Sequence, residues 1–520
     1  MKRNNLFCAA LLFLSLIFLS LSQPSFVFED GFSFFAWICY IPFFLLAERL
    51  SLKSSFLFGA LYGSLSYFFM CPWLSQFGAL ALSFVCFIFA IHNSLLFFLL
   101  VWSKRIFHDR LGKFYWIFRV FLLLSFEFLR THGIFAFSYG IIAYSQWKNP
   151  AFLNFSSFFG VWGVSLIILL FNSIAAKVIS ERNLRSNLKK LSFSVSLIAS
   201  VYVLYLFGNL FGKEDKSVSL SLALIQNASS APSCKLSDYE RDVMLLERLT
   251  DQALRDNPAT ELVVWAETAV VPDILNNLEN KTDQRRHALA SFLHDYIKEK
   301  KVFFLIGNNH ADSDGTHNSA LFFDPATDSV GVYDKNHLVP FTEFWPSFLD
   351  FKIFDRIKSS LNCEFFAHGK SVRIFSIREL KFATPICFED SFSPLVRKMK
   401  KMGADFFVNI SDDAWSKSNA ARKMHLSMSA FRCAEFSTPM VRSTIDGKTC
   451  IINEKGRVLS ELESGIDGYL CPTLSLSGSR KETFYLFCGD SAMIFISILI
   501  FSILLILSAG FVKVNTYGRR

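Results

Sequence analysis

Three side chains of different chemistry, Glu267, Lys335 and Cys387, each stand where an apolar stretch stops. Glu267 follows Leu262-Val263-Val264-Trp265-Ala266, Lys335 follows Val330-Gly331-Val332-Tyr333-Asp334, and Cys387 follows Phe382-Ala383-Thr384-Pro385-Ile386. A carboxylate, an ammonium and a thiol are the parts of a nucleophilic site. The carboxylate takes the thiol proton, the sulfur attacks a carbonyl, and the ammonium stabilises the oxyanion that forms. A helix is predicted from near Pro394 through Val396, Met399 and Met402 to Gly403. A thiol at the turn into that helix lies near its positive end, which favours the thiolate. Each residue also has an ordinary reading, as a surface carboxylate, a solvated lysine or a small buried hydrophobe. His310, His317, His337 and His425 have no cysteine or carboxylate partners at ligand spacing, so they read as structural and no metal site is expected.

The elements that must position these groups read as strands alternating with helices. Val218–Ile225 alternates in polarity and ends in Gln226-Asn227. A charged helical stretch follows at about 236–256, then the strand before Glu267, an amphipathic helix at about 282–300, and a strand at Val302–Ile306 ahead of Gly307. Such alternation predicts an α/β sheet, which binds its ligands beyond the carboxyl ends of its strands.

The rest of the chain is of another kind. Its 520 residues are 52% hydrophobic and 19% charged, against roughly 45–50% and about 25% in soluble proteins. That excludes disorder, and 11 cysteines spread over this length exclude a small disulfide scaffold. A helix crossing a bilayer needs about 20 apolar residues. Eight candidates occur, at about 6–22, 26–47, 55–74, 78–102, 115–131, 157–178, 192–211 and 490–512. The first also has the flanks of a cleaved signal peptide.

Alternate connecting segments hold Lys2 and Arg3; Arg49 and Lys53; Lys104, Arg105, Arg110 and Lys113; Lys177, Arg182, Arg185, Lys189 and Lys190; and Lys513, Arg519 and Arg520. Their acids are Glu48, Asp109 and Glu181, and the intervening short segments carry Lys148 as their one basic residue. Basic loops stay cytoplasmic, so both termini are expected in the cytoplasm and residues 212–486 on the far side. The net charge of +9 is therefore a topology signal, and the exported part is mildly acidic, with no basic groove for nucleic acid. Glu127 and Arg130 fall inside the fifth run at i, i+3, where they can pair. Of the exported cysteines Cys234, Cys363, Cys387, Cys433, Cys450 and Cys471, the nucleophile candidate must stay reduced; the pairing of the others is not legible.

Cysteine, lysine and glutamate at strand ends, with Cys387-Phe388-Glu389 and Asn409-Ile410-Ser411-Asp412-Asp413-Ala414-Trp415 downstream, resemble the nitrilase (carbon–nitrogen hydrolase) superfamily. The seven preceding hydrophobic segments and the one following resemble its membrane-embedded branch, the apolipoprotein N-acyltransferases. Further similar stretches are His337–Phe344, Arg432-Cys433-Ala434-Glu435, Val441-Arg442-Ser443-Thr444 with Asp446-Gly447, and Gly160-Val161-Trp162-Gly163-Val164-Ser165. Phe388 stands where the family carries Tyr, and Lys235-Leu236 where it carries Lys-Trp.

The resemblance implies an α-helical polytopic membrane bundle of about eight transmembrane helices with an inserted α/β nitrilase-like αββα sandwich. The domains would be 1–211 in the membrane, 212–486 periplasmic and catalytic, and 487–520 a last helix with a short tail. It implies a catalytic triad of Glu267, Lys335 and Cys387 supported by the acids Glu343 and Glu389, with no cofactor. The reaction it implies moves a fatty acyl chain from a phospholipid, phosphatidylethanolamine, through a Cys387 thioester to the α-amino group of a diacylated lipoprotein. The enzyme is expected to be a monomer in the bacterial inner membrane, in contact with membrane lipids. Phe341, Phe344, Trp345, Phe348, Phe388 and Trp415 are candidates for a lid or lipid-docking surface, with packing of the domain core as the other reading. Two further functions fit parts of the chain: a membrane-tethered amidase using water as second nucleophile, and a transporter or scaffold whose exported domain only binds.

Overall fold

Apolar runs of the N-terminal part form helices whose ends are set by prolines, glycines and side-chain caps. A computed structural model describes all residues except 1, 78, 108–111, 182–183, 212–216, 229–234, 361–364, 478–481 and 518–520. Cys234, Cys363, Asp109, Arg110, Arg182, Arg519 and Arg520, which enter the expectations above, lie outside the described residues. The chain divides into two units. One comprises Met1–Gly212, Ser418–Met424 and Phe487–Arg520, the other Lys213–Lys417 and His425–Leu486.

The helical unit contains α1 (Lys2–Ser22), α2 (Tyr40–Ala47), α3 (Leu52–Met70), α4 (Ala79–Phe107), α5 (Tyr115–Leu129), α6 (Pro150–Ser180) and α7 (Leu184–Phe211), with a C-terminal helix at Ser491–Tyr517. Among the described residues five stretches are long and apolar enough to cross a membrane: Asn5–Ser22, Leu80–Phe107, Pro150–Ser180, Lys189–Gly208 and Ser491–Ala509.

The expected continuous span at 26–47 is corrected by the structure. It is a 3-10 turn, Ser33–Trp37, followed by the 8-residue α2. Pro42 has no N–H to offer the Ile38 carbonyl, and a side chain far along the chain stabilises the break. Asn172 of α6 accepts from the Tyr40 N–H at 2.9 Å and donates to the Ala36 carbonyl at 3.0 Å. The run at 115–131 is also shorter than expected, because α5 has 15 residues. Inside α6, Gly160 leaves the helical conformation with φ 63° and ψ −165°, a geometry that suits glycine. Glu127 and Arg130 have separate partners. Arg130 donates to the Tyr67 hydroxyl and to the Tyr139 carbonyl at 2.8 Å, whereas Glu127 accepts from Tyr40 and from the Ile142 N–H.

The second unit begins with β1 (Ser217–Gln226), α8 (Leu236–Asp256), β2 (Leu262–Val264), α9 (Ile274–Glu279), α10 (Gln284–Lys300), β3 (Phe303–Asp312), β4 (Gly315–Phe323) and β5 (Val330–Asp334). It continues with α11 (Asp355–Ser360), β6 (Phe375–Ile377), β7 (Leu380–Ala383), α12 (Ser393–Lys401), β8 (Phe406–Asp412), α13 (Asn419–Phe436, in this unit from His425 on), β9 (Met440–Ile445), β10 (Cys450–Ile452), β11 (Val458–Glu461), β12 (Gly468–Leu470) and β13 (Thr473–Ser477). One sheet runs β12-β1-β2-β3-β4-β5 with β13 also on β1, and the other β11-β10-β9-β8-β7-β6. In each the centre is parallel, β1 to β2 to β3 and β7 to β8 to β9.

The central strands read as continuous apolar runs because both faces are covered. On one face of the first sheet, Val243, Leu246 and Leu249 of α8 and Leu293 and Ile297 of α10 pack with Val263, Trp265 and Phe304. On the other face Phe322 meets Phe375 and Phe382 of the second sheet at ring-centroid distances of 5.1 and 5.3 Å. The Ser443 hydroxyl donates to the Ile225 and Val264 carbonyls, joining the sheets through polar contacts as well.

Replacing Asn172 by Leu strands the buried Tyr40 N–H, at a cost of about 1–3 kcal/mol, and leaves the Ala36 carbonyl with the Cys39 thiol as its donor. A lower thermal midpoint for the detergent-solubilised protein is the expected outcome, and an unchanged midpoint would contradict this account of the break.

Candidate active site

The parallel strands bring their carboxyl ends to one edge, and the residues just past those ends meet there. Glu267 lies three residues beyond β2 and is 3% exposed. Its turn presses on β3 so closely that a Cβ on Gly307 would lie 2.2 Å from the Ala266 carbonyl oxygen; the position requires glycine. Lys335 follows β5 directly and is 1% exposed. Its Nζ donates to Glu267 Oε1 and to Glu343 Oε1, both at 2.8 Å. Burial alone would lower the Lys335 ammonium, but Glu267, Glu343 and Cys387 together hold it well above the ordinary lysine range.

Three further groups complete the carboxylates. Asn318 of β4 donates from Nδ2 to Glu267 Oε1 at 2.7 Å and to Glu343 Oε1 at 3.1 Å. The Asp412 N–H donates to Glu267 Oε2 at 2.8 Å, and the Val339 N–H to Glu343 Oε2 at 2.7 Å. Asp412 is itself pushed up to about 7, by burial and by the neighbouring Glu267.

Cys387 opens a 3-10 turn, Cys387–Ser391, that lies between β7 and α12. Its φ of 50° is unusual for a residue with a side chain. The expected drift toward thiolate is corrected here. Burial, and after it the charge of Glu267, push the Cys387 thiol well up, and Lys335 opposes them only in part. The 3-10 turn separates the thiol from α12, and Glu267, distant in sequence, acts on it instead. Burial and Glu267 both favour the protonated form of the sulfur.

The acids Glu343 and Glu389 do different things. Glu343 touches the Lys335 ammonium, whereas Glu389 holds backbone. Glu389 accepts from the Asn336 and His337 N–H groups at 2.7 and 3.1 Å, from the Ile386 N–H at 2.9 Å, and from the Tyr333 hydroxyl. It thereby ties the segment carrying Lys335 to the turn carrying Cys387. Burial raises it to about 7 against the pull of those N–H donors.

The aromatic candidates fall into two groups. Phe341 packs edge-on against Trp345 at 5.6 Å and Phe344 against His368 at 4.9 Å, all half-buried or exposed beside Glu343. Phe348, Phe351 and Ile353 are exposed, at 46%, 62% and 79%, so this segment does not pack the domain core. Phe388 is buried against Phe392, and Trp415 is half-buried in the loop between β8 and α13. Cys387, Cys433, Cys450 and Cys471 are free thiols.

Asn318 and Asp412 escaped the reading of the sequence as site residues. The one available signal for Asn318 is an amide heading the apolar run Ser319-Ala320-Leu321-Phe322-Phe323. Replacing Glu389 by Gln turns an amide N–H₂ toward backbone donors. The expected loss is about 1–3 kcal/mol, read as a lower thermal midpoint and faster proteolysis between 336 and 343.

A family model described as "Carbon-nitrogen hydrolase" matches residues 221–481, and one described as "Apolipoprotein N-acyltransferase N-terminal domain" matches residues 13–174. Apolipoprotein N-acyltransferase 1 of Treponema denticola is 32% identical over 98% of this chain and 96% of its own. The protein of the same name from Treponema pallidum is 31% identical over 95% of this chain and 94% of its own. Apolipoprotein N-acyltransferase of Borreliella burgdorferi is 28% identical, covering 96% and 95%. With one half of the chain matched by a model of a carbon–nitrogen hydrolase, the other by a model of the acyltransferase's own N-terminal domain, and relatives similar from end to end, the chain belongs to the apolipoprotein N-acyltransferase family.

Proposed function

We propose that the protein transfers a fatty acyl chain from a phospholipid to the α-amino group of the N-terminal S-diacylglyceryl-cysteine of lipoproteins, through a thioester on Cys387. The observation that carries the mechanism is the buried Lys335 ammonium shared by Glu267 and Glu343, with Cys387 in its field.

In the first step Glu267 takes the Sγ proton and the sulfur attacks the ester carbonyl. Lys335 stabilises the oxyanion, a kind of contribution typically worth about 3–4 kcal/mol. The intermediate collapses, the C–O bond breaks, and the lysophospholipid alkoxide leaves with the proton from Glu267. In the second step the lipoprotein amine attacks the thioester and gives a proton to Glu267, which passes it to the departing sulfur. The C–S bond breaks, the thiol re-forms, and the product is an amide. Glu343 stays paired with Lys335 while Glu267 carries the proton. Glu389 and Asn318 position these groups.

Moving an acyl chain into water costs about 0.8 kcal/mol per CH₂, so an active site supplied with both substrates at the bilayer avoids that penalty. The exposed Phe348, Phe351 and Ile353, following Phe341, Phe344 and Trp345, support a lipid-docking arm next to Glu343. Phosphatidylethanolamine is the donor we favour, and the distribution of basic residues supports a periplasmic catalytic domain with both termini cytoplasmic. The protein acts as a monomer in this reading.

Protein incubated with phosphatidylethanolamine should gain one acyl mass on Cys387, removable with hydroxylamine, and Cys387→Ala should gain none. An adduct retained in that variant would sink the mechanism, and release to water but never to a lipopeptide amine would favour an amidase. Replacing both Trp345 and Phe348 by Ser should leave the thermal midpoint unchanged while acylation falls by about tenfold or more, as expected when acyl-chain contacts are lost. Full activity in the double variant would remove the arm from the mechanism.

A further inference from the structure

Beneath the Cys387 turn lies a closed set of charges that the two steps above do not use. The Cys387 carbonyl accepts from Asn409 Nδ2 and from His425 Nε2, both at 3.2 Å. His425, on α13, is 1% exposed. Its Nε2 also lies 2.9 Å from Asp390 Oδ1, and its Nδ1 3.3 Å from Asp413 Oδ1. Asp390 Oδ2 accepts from Arg442 Nη1 at 2.6 Å and from the Ser429 hydroxyl at 2.5 Å. Ser411 donates to Asp413 Oδ1 at 3.1 Å. Arg442 Nη2 stands 3.8 Å from Asp413 Oδ2 and 3.4 Å from His425 Nδ1.

The two carboxylates and one guanidinium sum to a buried negative charge, which an imidazolium cancels. A neutral ring would leave that charge unbalanced and give up a bond to one of the carboxylates. The ring meets the nucleophile's own carbonyl, and the nucleophile sits in a positive-φ conformation that surrounding contacts must hold, at a cost of about 1–3 kcal/mol.

We propose that His425 is a positioning residue for Cys387: a buried imidazolium that bonds the nucleophile's carbonyl and bridges Asp390 and Asp413, so that the aim of the thiol depends on a charge behind it. The inference rests on the reading of Cys387 as nucleophile. Burial is the largest influence and works against the charged ring, with Arg442 on the same side, but the charge and hydrogen bond of Asp390 together with the hydrogen bond of Asp413 outweigh them, and His425 is pushed up to about 9. Asp390 and Asp413 are both lowered, against their burial, by His425 and Arg442. A raised value means that the stability His425 contributes is complete below its ordinary 6.5 and is lost as pH rises through about 9.

The test uses the full chain in lipid nanodiscs. With ¹⁵N-labelled histidine, one of the 10 histidines should keep both ring nitrogens protonated at pH 8, and that signal should vanish in His425→Gln. If every histidine is neutral at pH 8 the proposal falls, whatever the variant does. Acylation of Cys387 by phosphatidylethanolamine should slow by about tenfold to a hundredfold in H425Q, the range expected for a misplaced nucleophile, with the half-saturating lipid concentration unchanged. Adding Asp413→Asn to H425Q restores neutrality and should recover part of the rate. Wild-type acylation rates in H425Q, or no recovery in H425Q/D413N, overturn the proposal. A wild-type protein that never forms the Cys387 adduct would instead overturn the nucleophile reading and leave the nitrogen spectrum to decide the charge.

Discussion

A buried ammonium shared between two carboxylates is the constraint on which the catalytic unit is built. Removing Lys335, Glu267 and Glu343 from water costs several kcal/mol for each ion and is offset only when every charged atom is bonded. The structure meets that demand from every side: Asn318 and two backbone N–H groups supply the donors that Lys335 does not. Two acids in place of one also suit the chemistry. In the proposed mechanism Lys335 keeps Glu343 as its partner while Glu267 holds a proton, so the cation would not stand unpaired.

Holding that arrangement takes both sheets. Glu267 comes from the end of β2 in the first, and the N–H that fixes its second oxygen comes from Asp412 at the end of β8 in the second. The Ser443 bridge to Ile225 and Val264, and the aromatic contacts of Phe322, fix the sheets against each other. Glu389 does the same for the two loops that matter most, because one carboxylate accepts from the turn of Cys387 and from the segment of Lys335. Burial acts oppositely on the two groups: it raises the Cys387 thiol with Glu267 adding to it, whereas it works against the Lys335 ammonium and is outweighed there by Glu267, Glu343 and Cys387.

In the helical unit the same accounting of backbone groups governs the interruptions. A broken helix in an apolar setting leaves N–H and C=O groups that water cannot reach, and Asn172 supplies both partners at the break before α2. Arg130 does comparable work for the carbonyls of Phe137 and Tyr139 beyond α5.

Local pattern alone determined which stretches are apolar, where strands give way to helices, and that Glu267, Lys335 and Cys387 each stand past a strand end, because those properties depend on near neighbours. Only the tertiary structure decided that Lys335 lies between Glu267 and Glu343, that Asn318 joins them, and that Glu389 holds backbone while Glu343 holds the ammonium. Most of those contacts join residues 25 to 68 positions apart. Two of the local readings that failed share this cause. The segment 26–47 looked continuous because the side chain that bridges its break belongs to α6. The thiol looked activated because its nearest sequence feature is a helix start, whereas burial and the charge of Glu267 act through space and outweigh it.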